Sequence, residues 1–256
     1  MAKAHSAMRG GPLKKTGERA SNPSATEKPA GAPPGTQDAL CGPWQDFVVM
    51  KEDQGSRVVA VSDWVIKENG PRKGRGMLRF GLRRSGARRA FVLAHMLLEH
   101  GIPTPEPMAW ATCRRLRLRI RDCLITRRIS DVEDLKSRCM RVTASKADRA
   151  HTLESLGRLM ASFHANGFSN RDMKDANILC SLSGPLKMWV VDLDGVRRWR
   201  SVSRNRARRD VWPIARSLGR VGWVTASDIK AFLAGYNATV PERLKLDRLP
   251  YLEPRG

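Results

Sequence analysis

The chain has 256 residues and a formal net charge of +22, from 47 Lys plus Arg against 25 Asp plus Glu. With 41% hydrophobic residues it has the material for one large domain or two lobes around a buried core, which excludes wholesale disorder. No apolar run reaches the roughly 18–20 residues of a membrane-spanning helix, and the cationic start has no apolar segment after it, so neither a transmembrane protein nor a secreted one is expected. Cys41, Cys113, Cys123, Cys139 and Cys180 are odd in number and never form a C-x-x-C pair. Disulfides and structural zinc are not expected, and the compartment reads as cytoplasmic.

Residues 1–40 are rich in Pro, Gly, Ala, Ser and Lys and read as a disordered basic tail. From Phe47 the pattern changes to three short β-branched runs, Phe47 to Met50, Arg57 to Val61 and Trp64 to Lys67, which predict antiparallel strands. Phe91, Ala94, His95 and Leu98 recur at helical spacing, and Gly101 with Pro103 stops that helix. Met108 to Ala111 and Cys123 to Thr126 flank the alternating stretch Arg115 to Arg121, which is read as a strand with apolar residues on one face and exposed arginines on the other. Leu153, Leu156, Met160 and Phe163 mark a second helix ending near Gly167. Two strands, Ile178 to Cys180 and Met188 to Val191, are joined by a Ser183-Gly184-Pro185 turn. Ser227 is the expected cap of a final helix carrying Ile229, Phe232, Leu233 and Tyr236. The order predicts an α+β chain: a tail over 1–40, a strand-rich lobe with one helix over 41–126, and a mainly helical lobe over 127–256.

The segment Asn170-Arg171-Asp172-Met173-Lys174-Asp175-Ala176-Asn177 carries the chemistry. In the spacing R-D-x-x-x-x-N of phosphotransferase catalytic loops, the aspartate, here Asp172, faces the acceptor hydroxyl, and the asparagine, Asn177, reaches back to a magnesium ion. Asp192, at the end of the next strand, supplies the opposing metal carboxylate. Lys174 is placed to neutralise charge on the transferred group. Lys67 closes an apolar strand and is the candidate partner of the nucleotide α and β phosphates. Gly55 and Ser56 either cover those phosphates or form an ordinary hairpin turn.

On these residues, on Val191 to Arg197 and on Ser85 to Pro107, the chain resembles the lipopolysaccharide core kinase (Kdo/WaaP) family from about Phe47 to Tyr236. The resemblance implies a two-lobed protein-kinase-like fold, with an antiparallel-sheet N-lobe and a mainly helical C-lobe. It also implies ATP and Mg2+ as cofactors, and a sugar hydroxyl of the lipopolysaccharide inner core, Kdo or heptose, as acceptor. It makes Asp172 the base, Asn177 and Asp192 the metal ligands, Lys67 the ATP lysine, and the backbone around Ile125 the adenine hinge. Three departures stand out: Asn170 replaces the histidine before Arg-Asp, Asp194 replaces the glycine of Asp-Phe-Gly, and Ala90 occupies the place of the helix glutamate that pairs with the ATP lysine.

Arg197, Arg198 and Arg200 follow the metal motif, where kinases place the acceptor, and suit an anionic glycolipid or sugar. Peripheral attachment to an anionic membrane surface is the companion expectation. A specific nucleic-acid partner is not expected, because aromatics make up 6% of the chain and do not interleave with the arginines. The rival readings are a protein kinase, another small-molecule phosphotransferase of this fold, and a pseudokinase scaffold.

Overall fold

The computed structural model describes residues 47–53, 55–71, 80–82, 84–115, 118–221 and 224–249. The predicted tail and Cys41 lie outside the described residues. The β-branched runs near the start form β1 (Val48–Asp53), β2 (Ser56–Val61) and β3 (Trp64–Asn69), as the sequence predicts. With β4 (Pro107–Arg115) and β5 (Leu118–Arg127) they make a five-stranded antiparallel sheet in the order β1-β2-β3-β5-β4.

Side-chain alternation divides this sheet between two cores. Val59, Ile66, Ala109, Ala111, Cys123 and Ile125 fill a small core on one face. Lys67 and Leu124, paired across β3 and β5, belong to the opposite parity, and Leu124 packs on the larger core. Helix α1 (Gly86–Glu99) lays Ala90, Leu93, Ala94 and Leu97 into that same larger core.

Helix α1 is fastened to β5 at its amino end. The buried Asp122 carboxylate accepts the Gly86 and Ala87 amides at 2.7 and 3.1 Å and the Ser85 hydroxyl at 2.7 Å. Arg119 donates to the same carboxylate at 3.1 Å and stacks its guanidinium on Phe80. This corrects the sequence reading of Arg115 to Arg121. Arg119 is 5% exposed rather than part of an outward arginine face. The burial is stable because a carboxylate, a carbonyl and an aromatic ring surround the guanidinium. Asp122→Ala is therefore expected to destabilise the fold by roughly 3 kcal/mol, since it strands a buried arginine and frees two helix-end amides. A denaturant melt checks this.

The second lobe begins with β6 (Val132–Asp134), α2 (Leu135–Arg141) and α3 (Lys146–Ala165). It continues through β7 (Phe168–Asn170), β8 (Ile178–Ser181), β9 (Met188–Val190) and β10 (Val196–Arg198), and ends with α4 (Arg204–Val221) and α5 (Ala226–Thr239). Strands β6, β8 and β9 form one small sheet, and β7 pairs with β10. Helices α3 and α5 cross closely at Gly157 and Gly235, where any Cβ would collide with the Phe232 and Glu154 carbonyl oxygens. The cap of α5 is Thr225, in a capping box with Asp228, and not Ser227 as the sequence suggested. Ser227 lies inside the first turn, with its hydroxyl on that of Thr225 at 2.8 Å.

Cys113, Cys123, Cys139 and Cys180 are buried and form no disulfide among the described residues. Burial pushes the Cys139 and Cys180 thiols up to about 12, which leaves them unreactive. Among the described residues no helix is long and apolar enough to cross a membrane.

Candidate active site

Strand β7 delivers Asn170, and the chain then turns through Arg171 and Asp172 into a 3-10 turn, Asp175–Asn177, before β8. The loop is held by its backbone. The Asn170 side-chain oxygen accepts the Asp172 amide at 3.0 Å, and the Asn177 Nδ2 donates to the Asp172 carbonyl at 2.8 Å. Asp172 is thus clamped on both sides while its carboxylate stays half exposed. The Lys174 ammonium is 2.7 Å from that carboxylate, and the hydrogen bond holds the lysine above its ordinary range. Asn170, in the place of the usual histidine, fills a bonding role here, and Gly195 lies so close that a Cβ would strike its side-chain oxygen.

The second loop follows β9. Asp192 adopts a left-handed conformation (φ 58°), which Asp tolerates better than most residues, and a 3-10 turn over Leu193–Gly195 follows. The Val191 amide donates to the Asn177 carbonyl at 2.9 Å, which ties this loop to the first. Lys67 reaches across from β3 and donates to Asp192 Oδ1 at 2.6 Å and Asp194 Oδ2 at 2.7 Å. Burial disfavours the charged Lys67, but the Asp194 and Asp192 carboxylates outweigh it and raise the pKa. Asp192 is the counterpart: burial opposes its charge, yet Lys67 and the backbone amide of Asp194 hold its carboxyl below the usual range.

This arrangement answers the Ala90 departure. Ala90 is 3% exposed in the core face of α1, so no carboxylate approaches Lys67 from the helix at that position. The partner comes instead from Asp194, whose backbone carbonyl also accepts a bond from the neighbouring Arg89.

Two contributors escaped the sequence reading. Asp210 of α4 is fully buried and accepts the Asn170 amide at 2.8 Å, with His164 Nε2 3.5 Å away. His164 in turn shares a 2.9 Å hydrogen bond with Tyr236. Ser217, one face of α4 further on, donates to Asp175 at 2.5 Å. The only signal for Asp210 is its position as the first acid after the run Arg204 to Arg209. Asp210→Ala is expected to cost roughly 2 kcal/mol of stability, because it leaves the buried Asn170 amide without its acceptor. Thermal melts of the variant check this.

The other predicted residues are scattered. Asp53 pairs with Ser56, which leaves two residues between β1 and β2, with Gly55 at φ 85°. That is the geometry of a tight hairpin. Ile125, expected to present its backbone to adenine, is an inner strand residue paired with Ile66 on one side and Ala109 on the other. It is 2% exposed. Arg197 donates to the Asp194 and Val196 carbonyls, Arg198 stacks on Phe168, and Arg200 is exposed.

The donor set suits a hard cation bound together with substrate phosphates. Asn177 spends its Nδ2 on the Asp172 carbonyl, so its oxygen remains as an acceptor beside the Asp192 loop. One carboxylate plus one amide oxygen is the sparse protein share that Mg2+ accepts.

Residues 49–236 match the sequence model of the Lipopolysaccharide kinase (Kdo/WaaP) family. The 3-deoxy-D-manno-octulosonic acid kinase of Stenotrophomonas maltophilia (strain R551-3) is 34% identical over 127 residues, 47% of this chain and 48% of that protein. The enzyme of the same name from Xanthomonas campestris pv. campestris (strain B100) is 36% identical over 124 residues, 46% of each chain. The match therefore spans about half the length of these curated relatives. A solved structure described as WaaP in complex with acyl carrier protein superposes with a TM-score of 0.56 at 19% identity, over 74% of this chain and 78% of that one. The shared kinase-like fold and a family match covering most of the chain lead to one assignment: this protein belongs to the lipopolysaccharide kinase (Kdo/WaaP) family.

Proposed function

We propose that the chain transfers the γ-phosphoryl group of ATP to a hydroxyl of an inner-core sugar such as Kdo, with Mg2+ held by Asn177 and Asp192. The observation that carries this reading is the convergence of Asp172, Lys174 and Asn177 on one loop with the Lys67–Asp192 pair on the next. Bound magnesium ATP supplies the electrophilic phosphorus and part of the charge neutralisation. Lys67 grips the α and β phosphates. Asp172 orients the acceptor hydroxyl and takes its proton as the acceptor oxygen bonds to phosphorus and the β–γ bridge breaks to give ADP. Lys174, beside the base, offsets negative charge as it spreads over the equatorial oxygens.

The acid-to-base balance of the site bears on the acceptor. Asp172, Asp175, Asp192 and Asp194 outnumber Lys67, Arg171 and Lys174, so an anionic sugar gains from cationic help outside these two loops. The exposed arginines of the second lobe supply it, and they also suit a peripheral contact with an anionic membrane surface. The test is transfer of labelled γ-phosphate from magnesium ATP to a lipopolysaccharide core fraction and, separately, to total cell protein. Label in the glycolipid, lost in Asp172→Asn, supports the sugar kinase. Label confined to protein replaces it with a protein kinase, and label in neither leaves a scaffold.

A further inference from the structure

Strand β1 lies at the edge of the five-stranded sheet and carries one irregularity. Val48 and Val49 pair with Ala60 and Val59, whereas Lys51, Glu52 and Asp53 pair with Val58, Arg57 and Ser56. Met50 is therefore an extra residue, a β-bulge between two regular stretches.

The bulge decides the face on which Lys51 stands. Residues paired across neighbouring strands share a face of the sheet. Val49 pairs with Val59, which fills the small core on one face. Strict alternation from Val49 would return Lys51 to that same face, two residues on. With Met50 inserted, Lys51 instead pairs with Val58, and Val58 pairs with Lys67. The row Lys51, Val58 and Lys67 thus lies opposite the small core, on the face from which Lys67 reaches Asp192 and Asp194. Two strand spacings separate the lysines, roughly 10 Å between Cα atoms.

A second observation comes from the facing loop. Burial opposes the charge of Asp192, Lys67 and the Asp194 amide hold its carboxyl below the usual range, and the Lys51 ammonium adds to them through space. Lys51 is exposed, and its side chain forms neither a hydrogen bond nor an ion pair among the described residues. Lys67, by contrast, is committed to two carboxylates. An edge lysine also guards a sheet against pairing with other chains, but that duty is served from either face.

From this register we infer that Lys51 is a second phosphate-binding lysine, brought by the β1 bulge to the β- and γ-phosphates of the nucleotide. The inference rests on the phosphotransfer reading and adds to it a residue that holds the terminal phosphates. In that reading Mg2+ bridges the β and γ oxygens with Asp192 as a ligand, so a cation that acts on Asp192 from β1 acts on the same phosphates. Lys51 also offsets the surplus of aspartates on the two loops, whose repulsion weighs against a triphosphate.

The experiment compares the native chain with Lys51→Gln, with Lys51→Arg and, as a charge control, with Lys136→Gln at an exposed position of α2. Each is titrated calorimetrically with magnesium ATP, with ADP and with adenosine. Lys51→Gln is expected to bind magnesium ATP about tenfold more weakly and ADP less affected, with adenosine binding unchanged. Lys51→Arg should recover most of the ATP affinity, and Lys136→Gln should match the native chain. Equal losses in Lys51→Gln and Lys136→Gln would reduce the effect to bulk charge. A loss that extends to adenosine, or that Lys51→Arg does not recover, would make Lys51 a structural residue of the strand. Unchanged ATP affinity in Lys51→Gln would leave it a guard of the sheet edge and the phosphotransfer reading intact. A native chain that binds neither ATP nor adenosine would remove the phosphotransfer reading itself, and with it the ligand of Lys51.

Discussion

Asp172→Asn is expected to lower the rate of phosphoryl transfer by about 10³-fold while ADP affinity stays within about twofold. The amide keeps the size of the carboxylate and loses its basicity. The loop does not depend on that carboxylate for its shape, since the bonds that hold it run to the Asp172 amide and carbonyl and to the Asn170 amide. The one partner lost is Lys174, whose ammonium is more than half exposed, so stability should hardly change. Single-turnover transfer from labelled ATP and a separate ADP titration read the two effects apart. A variant within tenfold of the native rate would remove proton transfer from the role of Asp172 and leave it a positioning group. A collapse of ADP affinity would show that the loop, and not the base, had been lost.

The sequence was readable where local pattern and spacing carry the structure. The strands around Val58 to Ile66, the helix at Phe91 to Leu98 and the loop from Asn170 to Asn177 each announce themselves by periodicity or by a fixed spacing of charged groups. Other features depend on chain segments far apart. Lys67 finds its carboxylate 127 residues away at Asp194, and a search confined to the helix position now held by Ala90 misses it. Arg119 looks like one more outward arginine until Asp122 and Phe80 close around it. Asp210 sits at the end of an arginine run that reads as surface, yet its carboxylate is turned inward onto the Asn170 amide. Thr225 and Ser227 are hydroxyl residues two apart, and only the backbone turn decides which of them caps the helix.

Lys67→Met should weaken ADP binding by about tenfold or more, or about 1.4 kcal/mol, and leave adenosine binding unchanged. The contrast between the two ligands isolates the phosphate grip from damage to the lobe, since both need the cleft and only ADP needs the ammonium. Loss of the lysine also leaves Asp192 and Asp194 facing each other without a cation, at a cost of about 1 kcal/mol because both carboxylates keep access to water. The two aspartates then separate by their other duties. Asp192 shares its loop with the Asn177 acceptor oxygen and is the carboxylate assigned to Mg2+, so Asp192→Asn should abolish transfer while metal-free ADP still binds. Asp194 has no such second duty, and with Ala90 in the helix it is the carboxylate that remains to orient Lys67 once Asp192 turns to the cation. Asp194→Asn is accordingly expected to reproduce part of the Lys67→Met effect, a loss of ADP affinity of several-fold with adenosine unaffected. If Asp194→Asn instead bound ADP more tightly than the native chain, the carboxylate would be a competitor of the phosphates for Lys67 and not its support.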